Sequence, residues 1–171
     1  MTSAGKVAAK IIEDSNIDAV LVGDSAAMVI HGYETTVNAN VEMMVFHTAA
    51  VRRALQNKLL ISDVPFLTHK KGRNFLVQVA DRLMKSGAQA IKIEGSIDNC
   101  LDIKFLVNSG IPVMGHLGLT PQSVHQFGGF KLQGNSENKA NELIQAAKDL
   151  EDATLPQKED LEKEIRNLIS Y

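Results

Sequence analysis

Short aliphatic runs return along this chain about every thirty residues, and the intervals between them carry helix-like stripes. Ala19-Val20-Leu21-Val22, Leu59-Leu60-Ile61, Ala90 to Glu94 and Pro112-Val113-Met114-Gly115 read as strands, near-continuously apolar as strands covered on both faces must be. Between them, apolar residues recur at helical spacing. Ala4, Ala8, Ile11 and Ile12 form the first stripe, and Val41, Met44, Val45, Thr48, Val51 and Leu55 the second, with Asn40 as its N-cap. Phe75, Leu76, Val79 and Leu83 form the third, closed by Ser86-Gly87, and Asp98 to Asn108 the fourth, ending at Gly110. Thr120-Pro121 opens a short further helix. Strand and helix alternating in this way predict an α/β fold with a parallel sheet. A doubly wound sheet and a (β/α)8 barrel both satisfy the pattern, and periodicity does not choose between them.

After Gly134 the strand-like runs stop. Ser136 to Ala153 reads as one helix, and Thr154-Leu155-Pro156 starts another whose Leu161, Ile165, Leu168 and Ile169 share a face. The expected organisation is therefore a partial (β/α) barrel domain over residues 1–153 and an amphipathic helical tail over 154–171. The 171 residues carry a net charge of -2, which gives no electrostatic reason to expect nucleic acid or an anionic membrane as partner. A single cysteine, Cys100, excludes an internal disulfide. No apolar run near the start is long enough for a signal peptide or a membrane span, so a cytoplasmic location is the expectation.

The chemistry sits where the strands end. Asp24, Asp63, the Lys92/Glu94 pair and His116 each fall at or just past the C-terminal end of a predicted strand, and in a barrel those ends share one rim. Lys92 and Glu94 are two apart, so they point to one side of their strand while Ile91 and Ile93 point to the other. Carboxylate oxygens suit Mg²⁺, which keeps positions open for water or substrate oxygens. A 2-oxo acid could fill two of them, with Lys92 facing its carboxylate, Ser25 hydrogen-bonding it and His116 donating to a developing oxyanion. Taken singly, each residue has a blander reading: Asp24 or Asp63 as a helix cap or turn former, Lys92 and Glu94 as a rim salt bridge.

The stretch Met114-Gly115-His116-Leu117-Gly118-Leu119-Thr120-Pro121-Gln122-Ser123-Val124-His125-Gln126-Phe127-Gly128-Gly129-Phe130-Lys131 resembles the signature loop of the ketopantoate hydroxymethyltransferase family. Leu21 to Ser25, Ile61 to Phe66 and Ala90 to Gly95 match the same family in the same order, so the likeness covers roughly residues 8 to 151. It implies a (β/α)8 barrel, here incomplete, with about four parallel strands and a divergent helical C-terminus. It implies transfer of a hydroxymethyl group from 5,10-methylenetetrahydrofolate to 3-methyl-2-oxobutanoate, in pantothenate and coenzyme A biosynthesis. It assigns Mg²⁺ to Asp24, Asp63 and Glu94, the oxo acid to Asp24, Ser25, Asp63 and Lys92, and a supporting catalytic role to His116. The family's proton-accepting Glu lies on a later strand, in a Leu-Glu-Cys-Val-Pro-like segment that this sequence lacks, and the Tyr and Asp of its first strand fall at Ala4 and Gly5. The alternative is a catalytically silent relative that binds metal or oxo acid or serves assembly. Another Mg²⁺-dependent oxo-acid barrel, akin to the phosphoenolpyruvate mutase and isocitrate lyase group, is a weaker third reading. Open sheet edges and an uncovered inner face would favour a homo-oligomer or pairing with a fuller relative.

Overall fold

The computed structural model describes residue 3, residues 5–95 and residues 99–155. Its centre is a parallel sheet of β1 (Ala19–Val22), β2 (Leu59–Asp63), β3 (Ala90–Glu94) and β4 (Val113–His116), in the order β1-β2-β3-β4. Sequential order matters. Right-handed crossovers that always advance in one direction put every connecting helix on the same face, which is the arc of a barrel. A doubly wound sheet reverses direction at a switch point and places helices on both faces. No reversal occurs here, so the fold is α/β of the barrel type.

The helices cover the outer face. These are α1 (Lys6–Glu13), α3 (Val41–Arg52), α4 (Arg73–Lys85), α5 (Cys100–Asn108) and α7 (Glu137–Thr154), while the four-residue α2 (Ala26–Val29) and α6 (Val124–Phe127) follow the ends of β1 and β4. The first expected stripe is displaced, since α1 buries Ala9 and Ile12 and leaves Ala8 and Ile11 exposed, but the predicted capping signals act as expected. Asn40 Oδ1 accepts from Met43 N–H at 3.0 Å to start α3, and α4 ends at Ser86 followed by Gly87 at φ 110°. Ser136 Oγ accepts from Lys139 N–H to start α7. Met44, Val51, Leu76, Leu83, Ile103 and Leu106 from the helices pack with Val20, Val22, Leu60, Ile91 and Ile93 from the strands in one core.

The helix expected over 136–153 lies on β4 and α5 and runs one residue further, to Thr154. It can approach because Gly115 has no side chain: a Cβ there would stand 2.0 Å from Leu150 Cδ2. The tail helix expected beyond Leu155, and Asp98 at the start of the fourth helical stripe, lie outside the described residues. Ser3 N–H donates to the Leu21 carbonyl at 2.9 Å, so the chain ahead of α1 touches β1. No helix among the described residues is long and apolar enough to cross a membrane.

The inner face differs. Parallel register puts Asp63 beside Lys92, Lys92 beside Met114, and Glu94 beside His116. Lower on the same face Leu59 and Met114 are 42% and 44% exposed, apolar groups without a covering layer among the described residues.

Candidate active site

Four strand ends deliver their polar residues to one place. Asp24 follows β1, Asp63 ends β2, Lys92 and Glu94 occupy β3, and His116 ends β4. Asp24, Asp63, Lys92 and Glu94 are buried, and His116 is half-buried. Lys92 Nζ donates to Asp63 Oδ1 and stands 3.6 Å from Glu94 Oε1. His116 Nδ1 lies 3.1 Å from Glu94 Oε1, and Asp24 N–H donates to Asp63 Oδ2 at 3.0 Å. The five residues form a continuous network. Ser25 sits half-buried at the start of α2, and its side chain caps nothing.

The helix-cap reading of the carboxylates does not hold, although Asp24 does lie in the turn between β1 and α2, where its carbonyl accepts from Ala27 N–H at 2.9 Å. Neither Asp24 nor Asp63 caps a helix; both face other charged or polar groups across the rim. The Lys92–Glu94 contact is a buried ion pair, shared with Asp63, and not an exposed rim bridge.

Gln122 completes the network, and nothing in the residue pattern alone singled it out. It sits in the turn Pro121–Ser123 after β4, buried. Its backbone N–H donates to Glu94 Oε2 at 3.0 Å, and its Nε2 donates to Asp24 Oδ2 at 2.8 Å and to the Val64 carbonyl at 3.0 Å. The only signal available was a carboxamide inside an otherwise helix-opening Thr-Pro sequence. Asn99 was missed for a similar reason: its Nδ2 donates to the Glu94 carbonyl at 3.2 Å and lies so close to Gly95 that a Cβ there would be 2.6 Å away. Thr36, on the turn Thr36–Asn38 that packs against Pro121–Ser123, has a buried hydroxyl with no partner among the described residues.

Charge at the site is unbalanced: three buried carboxylates meet one ammonium. Burial, reinforced by the charges of Asp63 and Glu94, pushes the Asp24 carboxyl up to about 7 against the pull of Gln122 and Lys92. Burial also raises Asp63, with Lys92 opposing. Glu94 goes the other way. Burial would raise it too, but hydrogen bonds from His116 and the Gln122 N–H, with the Lys92 charge, hold it below the usual carboxylate range. Glu94 is therefore an acceptor only, and a neutral His116 carries its hydrogen on Nδ1.

Beside this network opens a cavity of about 710 Å³. Glu94 and His116 reach its wall, and Phe66, Leu117, Phe127 and Leu143 give it apolar sides. A space of this size with partly apolar walls suits a small-molecule ligand.

A family model described as ketopantoate hydroxymethyltransferase matches residues 1–156. The chain belongs to the ketopantoate hydroxymethyltransferase family. A 3-methyl-2-oxobutanoate hydroxymethyltransferase of Legionella pneumophila strain Lens is 56% identical over 144 residues, 84% of this chain and 55% of the relative. One from Bdellovibrio bacteriovorus is 48% identical over 145 residues, 85% of this chain and 55% of the relative. The chain thus spans about half the length of the curated relatives it matches. Among solved structures, a phosphonopyruvate hydrolase complexed with oxalate and Mg²⁺ superposes with a TM-score of 0.67 at 12% identity, over 90% of this chain and 54% of that one. A 2,3-dimethylmalate lyase of the PEP mutase/isocitrate lyase superfamily gives 0.63 at 15% identity, over 89% and 54%. At such identities these neighbours share the fold.

The family resemblance implies a divalent cation at this donor set. By chemistry it fits: three hard carboxylate ligands, buried, with surplus negative charge. By arrangement the carboxylates are occupied. Among the described residues, five of the six oxygens on Asp24, Asp63 and Glu94 accept from protein donors, the exception being Asp24 Oδ1. No three His, Cys, Asp or Glu side chains among the described residues stand ready to hold a metal ion.

Proposed function

We propose that this chain carries the oxo-acid and cation half of a ketopantoate hydroxymethyltransferase site. The activity is transfer of a hydroxymethyl group from 5,10-methylenetetrahydrofolate to 3-methyl-2-oxobutanoate. The supporting observation is that Asp24, Asp63, Lys92, Glu94 and His116, up to ninety-two residues apart, share one network on the inner rim of a family member. Asp24, Asp63 and Glu94 would hold Mg²⁺, which when bound supplies Lewis-acid stabilisation of an enolate.

The chain's own residues bind and orient the substrate, while the acceptor of its C3 proton, in the family resemblance a Glu on a later strand, would have to come from outside the residues named here. Lys92, already between two carboxylates, pairs with the substrate carboxylate and fixes its orientation. Ser25 supplies a second hydrogen bond at the same end. His116 stabilises the oxyanion from Nε2. With Nδ1 facing Glu94, that donation requires the imidazolium, whose charge Glu94 offsets. The cavity beside Glu94 and His116 is where the folate would lie, with its one-carbon unit held over the rim. A second copy of the chain, or a fuller relative, would cover Leu59 and Met114 on the inner face.

A second reading has its own support. The occupied carboxylate oxygens and the lack of a ready three-ligand group among the described residues suit a relative that binds without turning over. Deuterium exchange at C3 of 3-methyl-2-oxobutanoate, followed by proton NMR with Mg²⁺ and without folate, separates the two. Exchange above the buffer rate supports the transferase. Binding of the oxo acid with no exchange supports the silent relative and overturns the transferase reading.

A further inference from the structure

We propose that Lys70 and Lys139, at the mouth of the cavity beside the rim, hold the two carboxylates of the glutamate that ends a folate and so fix which way the co-substrate lies. This rests on the folate reading of the cavity given above, and on no metal ion. The cavity is graded from floor to mouth. Glu94 and Gln122, both buried, and the half-buried His116 line its floor. Lys70, Lys139 and Glu142 line it as exposed residues, so they stand at its opening. Lys70 belongs to the turn His69–Lys71 after β2, and Lys139 to the first turn of α7 after β4. Since β3 lies between those two strands, one lysine comes from the β2 side of the cavity and the other from the β4 side.

Charge decides the direction of entry. Glu94 accepts at both of its oxygens, so a ligand carboxylate brought to the floor meets a like charge. At the mouth the same carboxylate meets two ammonium groups. Lys139, Glu142, Leu143 and Ala146 recur at spacings of three and four, which puts them on one face of α7, and that face forms a wall of the cavity. Glu142 opposes the lysines but forms no ion pair with Lys139, and two cations against one carboxylate leave the opening positive among these residues. Lys70 is steadied at its wall: its Nζ stands 3.5 Å from Asn99 Oδ1, and Asn99 is tied to the Glu94 carbonyl. Apolar walls from Phe66, Leu117, Phe127 and Leu143 strengthen the field of these charges. A folate carries its one-carbon unit on the pterin and its two carboxylates at the opposite end. Seating the dicarboxylate at the mouth therefore turns the reacting end towards the rim, where Lys92 orients the oxo acid.

The experiment is anaerobic calorimetric titration of the full chain, without added metal, with tetrahydrofolate and with tetrahydropteroate, which lacks the glutamate. The readout is the ratio of the two affinities, which a general loss of stability does not move. The wild type should favour tetrahydrofolate. Lys70→Gln and Lys139→Gln, both at exposed positions, should each lower the ratio by about 2- to 5-fold, and the double variant by about 4- to 25-fold. Glu142→Gln, which removes the opposing charge, should raise it. Lys148→Gln, at an exposed lysine of α7 outside the cavity wall, is the control and should leave it unchanged. Raising the salt from about 0.01 M to about 1 M shortens the screening length from about 30 Å to about 3 Å, and should bring the wild-type ratio down to that of the double variant. Equal binding of both ligands by the wild type, a ratio unmoved in the double variant, or an equal fall in Lys148→Gln overturns the charged mouth and leaves the folate reading standing. Binding of neither ligand overturns both.

Discussion

Successive residues of β3 live in different surroundings. Ile91 and Ile93 point outwards into the helix-covered core, while Lys92 and Glu94 point inwards to the rim. All four are buried, yet their energetics are opposite. The outer pair gains from removal of apolar surface from water, without direction and roughly in proportion to area. The inner pair loses hydration and recovers it only through specific partners: Asp63 and Glu94 for Lys92, His116 and Gln122 for Glu94. A sheet built only for stability would not place an ammonium and three carboxylates on its inner wall. The outer face holds the fold, and the inner rim carries a charge imbalance that the fold must support.

That contrast can be broken most forcefully at Lys92. Lys92→Met leaves Asp63 and Glu94 buried without their cation and should destabilise the chain by about 3–5 kcal/mol in urea unfolding at neutral pH. A loss below 1 kcal/mol would mean that the rim is far wetter than its burial indicates. On the other side of the same strand, Ile93→Ala should cost about 2–4 kcal/mol through transfer and cavity terms. Its signature is a stability loss with little pH dependence, since no charge is uncovered.

Gly115→Ala tests the outer face where α7 meets β4. The added methyl runs into Leu150, so a loss of about 1–3 kcal/mol is expected, with hydrogen exchange increased in α7 before other helices. The smallest effect has the opposite sign. Asp24 has a folded-state pKa raised to about 7 from 3.8, so the stability linked to its neutral form is present below 3.8 and is lost as pH rises through 7. Asp24→Asn removes that loss. In metal-free protein it should raise stability by on the order of 1–2 kcal/mol at pH 8 and do nothing at pH 3.5. Glu94, held low, works in reverse, since its contribution exists above its unfolded pKa and fades as pH falls. Thermal unfolding of both proteins from pH 3.5 to 8 checks the crossing.

The sequence made the outer face legible because periodicity reports burial. The strand at Ala90–Glu94 was bounded to the residue, Asn40 and Ser86-Gly87 marked helix ends correctly, and alternation sorted Lys92 and Glu94 from Ile91 and Ile93. The choice of barrel over doubly wound sheet was not legible in the residue pattern. It depends on strand order, which the family likeness implied and the coordinates display. At the rim, strand-end residues could be placed because strand ends are predictable. Gln122 and Asn99 could not, because a loop carboxamide has no period and its partners lie up to ninety-eight residues away. Nor could the sequence reveal that Asp63 and Glu94 would be filled by protein donors, which is a matter of angstroms and not of pattern.

The central claim is that the inner rim grips a 2-oxo acid through a divalent cation and Lys92. Calorimetric titration of 3-methyl-2-oxobutanoate into the chain, with saturating Mg²⁺ and then with EDTA, addresses it directly. The account predicts measurable binding with Mg²⁺, loss of at least about 10-fold in affinity with EDTA, and a similar loss in Lys92→Arg, where the charge is kept but its placement is not. Binding of equal strength with and without the cation, or none under either condition, would contradict it.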